Sequence, residues 1–266
     1  MGWSEKLVIA LVVAAAGFYA VMGIAIVVTA LIERRPLKFL VPADPDDPLS
    51  RRLDVIISGA GASTSDGRDF NPYASSATHP YWETQVMTAS RLGFSISRLF
   101  KNSQGGIYQN NAVLMVSPSR QILAVVRFGT TAKLRNEGTA LYSALADGRY
   151  LVTWDRPSGG RTPGLYDGYM FYRADFAECV ARHEERLNAA GNPPGHFSAE
   201  TPLADYEAIL ARRASFLIEN GQAYWVDPEH TAFRSTVKGA LAMWLMTFDT
   251  KHIDRGAVAA HGMKNR

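Results

Sequence analysis

The sequence predicts an α+β domain behind an N-terminal transmembrane helix. Three observations carry that expectation: a 26-residue uncharged run near the amino end, apolar runs paired around tight turns mid-chain, and helical spacing of apolar residues through the last hundred. Strands followed by helices, without regular alternation of the two, read as an antiparallel sheet with helices packed against it.

The uncharged run extends from Leu7 to Ile32. As a helix it would measure ~39 Å at ~1.5 Å per residue, against a hydrocarbon core of ~30 Å. Apolar residues fall on every side of it, whereas a helix on a soluble core keeps one polar face. Trp3 borders one end; Glu33, Arg34 and Arg35 border the other, and Pro36 stops the helix. Trp3, Arg34, Arg35 and Lys38 are therefore the expected membrane-interface residues, with residues 7–32 in contact with lipid. A cleaved signal peptide is the rival reading, with Val28-Thr29-Ala30 as its processing signal, but such apolar stretches normally run ~7–15 residues. Arg34, Arg35, Lys38, Arg51 and Arg52 follow the run, while only Lys6 and the terminal amine precede it. That bias assigns a single-pass cell-membrane protein with its C-terminal body in the cytoplasm. The lone Cys179 fits a reducing compartment.

Four segments are expected: the anchor (1–33), a Pro/Gly/Ser-rich linker and loop (34–79), a globular α+β domain (80–250) and a polar tail (251–266). The linker opens on Val41-Pro-Ala-Asp-Pro-Asp-Asp-Pro48, which reads as extended chain. Pro80–Leu92 reads as a helix with Pro first and Gly93 closing it. Phe94–Phe100 alternates like a strand. Ala112–Val116 and Ile122–Phe128 form a hairpin around Pro118. Thr139–Leu145 and Arg149–Trp154 form another around Asp147-Gly148, the strongest local hairpin signal in the chain. A Gly/Pro-rich loop follows from Arg156 to Gly168. Asp175-Phe-Ala-Glu178 resembles a capping box, opening a helix whose stripe is Phe176, Val180, His183 and Leu187. Thr201-Pro202 opens another helix, with Leu203, Tyr206, Leu210 and Leu217 on its stripe. Short strands are expected near 223–226 and 232–236. The last helix, Val237–Phe248, groups Val237, Leu241, Trp244, Leu245 and Phe248 on one face. It is either a core helix or one lying on a membrane surface.

Composition excludes several classes. At 47% hydrophobic and 20% charged residues, the chain is too apolar for general disorder. One cysteine supports neither a disulfide framework nor a cysteine-based zinc site. With 28 basic residues against 25 acidic ones, and only the isolated pairs Arg34-Arg35 and Arg212-Arg213, no nucleic-acid stripe emerges. Gly59-Ala-Gly-Ala-Ser63 follows the apolar Val55-Ile-Ile57, but Thr64 stands where a third glycine belongs, so a flexible loop is the better reading than a phosphate cradle.

His183 is the one acid–base candidate, lying beside Glu184 and Glu185. Leu187 occupies the position where a metalloprotease helix has its second histidine, and most histidines on an apolar stripe are structural. Cys179, one turn earlier, could pair with His183 as a nucleophile, yet it also suits a small packing slot. No cofactor or metal ligand set is expected. The functional expectation is thus a membrane-anchored binding or scaffold domain with a membrane-protein partner. The alternatives are a tethered hydrolase or transferase using His183 near the Gly159–Gly164 loop, and a lipid-associated protein using helix 237–248.

Overall fold

A computed structural model describes residues 3–38, 40–58, 81–102, 110–129, 137–156, 162–191 and 195–246. The Gly59–Ser63 loop, positions 159–161 of the Gly-rich loop, residues 247–248 and the 251–266 tail lie outside them. The chain divides into two units, one built on residues 38–209 and one on residues 1–37 with 210–250.

In the 38–209 unit, seven strands form one mixed sheet in the order β2-β3-β4-β5-β6-β7-β8. They are β2 (Leu40–Pro42), β3 (Ser95–Asn102), β4 (Asn110–Val116), β5 (Leu123–Gly129), β6 (Gly138–Ala144), β7 (Tyr150–Trp154) and β8 (Tyr166–Met170). The hairpin expected at Asp147-Gly148 forms, pairing Ala144 with Tyr150 and Leu141 with Thr153. Gly148 takes φ 80°, the left-handed conformation that such a turn demands.

Three helices cover one face: α2 (Pro48–Ile57), α3 (Tyr81–Arg91) and α4 (Phe176–Ala190). Leu53 and Ile56 of α2, Trp82 and Val86 of α3, and Phe176 and Val180 of α4 share one core with Val113, Met115, Val126 and Leu141. The stretch expected to be linker thus carries β2 and α2. Asp47 caps α2 by accepting from the Leu49 N–H at 2.9 Å, and Pro48 supplies the pre-set first turn. Arg52 then grips the nearly buried Glu83 with two parallel bonds of 3.0 Å, tying α2 to α3.

The expectation of a wholly antiparallel sheet is corrected: β8 runs parallel to β7, making the sheet mixed. A parallel neighbour needs a crossover rather than a tight turn. β8 falls where the sequence reads as loop because Gly168 interrupts it. That glycine has a packing reason. A Cβ there would lie inside the van der Waals envelope of Trp154 Cζ3 and Cη2, so the indole lies directly over the strand. Gly168→Ala is expected to lower stability by about 1–3 kcal/mol through overpacking, which urea unfolding measures.

The second unit holds α1 (Trp3–Ile32), α6 (Val237–Met246) and a small antiparallel sheet in the order β1-β10-β9, with β1 Arg35–Pro36, β9 Ala223–Trp225 and β10 Ala232–Ser235. The helix α5 (Pro202–Glu219) starts in the first unit and ends in this one. Here the expectation of a membrane-spanning helix is corrected. Among the described residues no helix is long and apolar enough to cross a membrane. The run Leu7–Ile32 is helical, but part of its surface is committed to protein. Gly23 and Ala30 are buried, and the Trp244 ring of α6 lies against Gly23. The membrane, transmembrane and single-pass assignments drawn from the length and all-round apolarity of that run fall with this finding.

Candidate functional site

Two buried polar networks and one apolar surface compete for the role of functional site. The first network centres on His183. The α4 stripe directs this residue onto the helix-covered face of the sheet, where it is fully buried. The order of donors can be read from its partners. Arg186 Nη1 donates to Thr153 Oγ1 at 3.0 Å, leaving the Thr153 hydroxyl hydrogen for His183 Nδ1 at 2.8 Å. Ser143 Oγ donates to the Gln121 carbonyl at 2.6 Å and so accepts from His183 Nε2 at 2.9 Å. The chain therefore fixes a neutral imidazole protonated on Nε2. Burial, aided by the neighbouring Arg186 charge, holds its pKa down to about 3. The group bridges α4 to β6 and β7 and meets no solvent.

The second network was not anticipated. Asp155, almost fully buried, follows β7 on the same face as Leu151 and Thr153. Its Oδ1 accepts from the Thr139 N–H at 2.7 Å, and its Oδ2 accepts from the Tyr81 hydroxyl. Tyr81 in turn meets Thr139 Oγ1 at 2.7 Å. The Arg156 guanidinium stacks 4.4 Å from the Tyr81 ring centre and its Nε lies 3.9 Å from Asp155. Burial outweighs these partners and pushes the Asp155 pKa up to about 6. The sequence signal was an acidic residue continuing a core-facing alternation, Leu151-x-Thr153-x-Asp155.

In both networks the central titratable side chain is buried and hydrogen-bonded within the protein. Cys179 is buried, and burial followed by the Asp155 charge raises its thiol well above the ordinary range. Its turn-neighbour His183 already has both ring nitrogens engaged by Thr153 and Ser143. Among the described residues no group of three or more His, Cys, Asp and Glu side chains could hold a metal ion.

The apolar surface belongs to α1 and α6. Leu7, Val8, Ile9, Leu11, Val12 and Val13 are all exposed. At about 100° per residue they occupy about 240° of the helix circumference. Farther along, Gly23 and Ala30 turn inward, leaving Val21, Ile24, Val28 and Ile32 as one exposed stripe. On α6, Val237, Leu241 and Leu245 form a second stripe. Of the residues expected to share a face, Val237, Leu241 and Leu245 are exposed, whereas Trp244 seats on α1; Ala240 is buried. A Cβ at Gly23 would come within 2.5 Å of Trp244 Cε2. Gly23→Leu is accordingly expected to force α6 away from α1, which quenching of tryptophan fluorescence by acrylamide detects as increased Trp244 access. Of the four expected interface residues, Arg34 pairs with Asp227 at 3.2 Å and Arg35 with Glu33 at 3.1 Å, while Lys38 is exposed. The side chain of Trp3 lies outside the description.

No family model, curated protein or solved structure matches this chain.

Proposed function

We propose that this chain is a binding or scaffold protein, with α1 as its docking element. One observation supports the reading: large apolar side chains stand exposed round much of α1 between Leu7 and Val13, with Val12 at 63%, and continue as a stripe that includes Ile24 at 64%. A single exposed leucine is ordinary, but a contiguous patch of this kind marks an interaction site. Because the patch wraps the helix, its complement encloses α1 rather than meeting one face.

Sedimentation velocity of the purified full chain in buffer without detergent tests this. The expected species is larger than the 29.2 kDa monomer, and the double substitution Val12→Glu with Ile24→Glu is expected to return it to the monomer. A monomeric wild-type chain at micromolar concentration would overturn the proposal.

A further inference from the structure

A groove of about 350 Å³ runs between α1 and α6. Its volume lies at the lower end of the range of small-molecule sites. Ala25, Ile26, Thr29, Ala30 and Met243 line it, and Glu33 and Arg35 stand at its mouth. The lining positions on α1 recur at helical spacing, so the groove follows the helix axis for ~12 Å from Ala25 to Glu33. It is an open, largely apolar depression, with the Arg35 guanidinium and the Glu33 carboxylate among its lining groups.

The contacts of that guanidinium are uneven. Nε and Nη2 of Arg35 both donate to Glu33 Oε2, at 3.3 and 3.1 Å. Nη1 instead faces the thioether of Met243 at 3.6 Å. A thioether is a weak acceptor, so a donor of a part-buried cation is left with a poor partner on the groove side. The Arg35 side chain is only 20% exposed, and pairing of β1 with β10, Arg35 opposite Phe233, fixes its backbone. Glu33 is 52% exposed, and a pair of that kind is weak in water. It also leaves Nη1 untouched. A carboxylate arriving along the groove would replace the sulfur with a charge-assisted hydrogen bond, while its hydrocarbon chain would cover Ala25, Ile26 and Met243.

We infer that the α1–α6 groove binds a single-chain anionic amphiphile of the fatty-acid class, with its head group on Arg35 Nη1 and its tail along Ala25, Ile26, Ala30 and Met243. The site occupies the inner side of α1 and stands independently of what encloses the outer side.

The test uses the full chain dispersed in dodecyl maltoside, whose uncharged head leaves head-group selectivity visible. [1-¹³C]Dodecanoate is titrated in and its carboxylate resonance followed by NMR. One saturable resonance per chain is expected, distinct from that of micellar dodecanoate. Arg35→Gln should weaken its binding at least tenfold. So should Ala25→Phe, which fills the groove from an exposed position and keeps the test open if the arginine variant fails to fold. Absence of a saturable resonance, or affinity unchanged by Ala25→Phe or by a folded Arg35→Gln, would overturn the inference. Either result leaves the sedimentation experiment unaffected, so the two ideas fail separately.

Discussion

Replacing His183 with alanine is expected to destabilise the α+β body by about 3–5 kcal/mol, measured by urea unfolding at pH 8. The substitution opens a cavity under α4. It also takes the acceptor from the buried Thr153 hydroxyl hydrogen, and an unsatisfied buried donor costs about 1–3 kcal/mol, while Ser143 keeps its bond to the Gln121 carbonyl. The same residue sets an acid limb. Native His183 refuses a proton until about pH 3, whereas the unfolded chain takes one up near the ordinary pKa of 6.5. Stability conferred by this group is therefore complete above pH 6.5 and declines as pH falls from there toward 3. At ~1.4 kcal/mol per pH unit the full decline is on the order of 5 kcal/mol. His183→Ala should lose this limb together with its stability. An acid limb of undiminished size in the variant would show that the network has been misassigned.

Asp155→Asn is expected to act in the opposite direction, stabilising the protein at pH 8. The native carboxyl holds its proton up to about pH 6, while the unfolded one releases it near the ordinary 3.8. The unfolded state thus binds fewer protons between those values, and stability falls as pH rises from about 4 to about 6. The charged carboxylate then remains a burden at neutral pH, of up to about 3 kcal/mol. Asparagine keeps the geometry without the charge: its oxygen accepts from the Thr139 N–H and its amide donates to the Tyr81 oxygen. A gain of about 1–3 kcal/mol at pH 8 is expected, shrinking to nothing near pH 4. The two groups oppose each other between pH 4 and 6, so Asp155→Asn should also steepen the acid decline due to His183. Loss of stability at pH 8 would mean that the Arg156 and Tyr81 contacts outweigh burial.

The parts of this fold legible in the sequence are those set by local chemistry. Asp147-Gly148 specified its hairpin because few other residues take φ above zero. The 3.6-residue stripe of α4 located His183 in the core, and Gly191, at φ 66°, closed the helix as expected. What was not legible depends on distant partners. β8 was obscured by Gly168, whose meaning lies in the ring of Trp154 from the neighbouring strand. The alternation Leu151-x-Thr153-x-Asp155 points Asp155 to the core face, but its partner Tyr81, many residues earlier, is not legible from it. The greasy run at the amino end was legible as a helix, but its relation to α6 was not, because periodicity carries no information about which helix packs on which. For the same reason the spacing of Val237, Leu241, Trp244 and Leu245 left open whether their face turns inward or outward: it identifies a face but not the side of the helix that a glycine such as Gly23 opens to Trp244.

Water access along α1 in the unpurified protein tests the docking role most directly. Cys179, the single native cysteine, is buried and provides a silent background. Cysteines introduced singly at Val8, Val12 and Ile24 would be treated with a water-soluble maleimide in whole-cell extract without detergent, with Ala146→Cys in the exposed β6–β7 turn as the reference. If α1 is enclosed by apolar partner surface, all three should label at least tenfold more slowly than position 146 and catch up on denaturation. Labelling of Val12→Cys at the rate of the turn would mean that α1 stands in water, and the docking role would be lost.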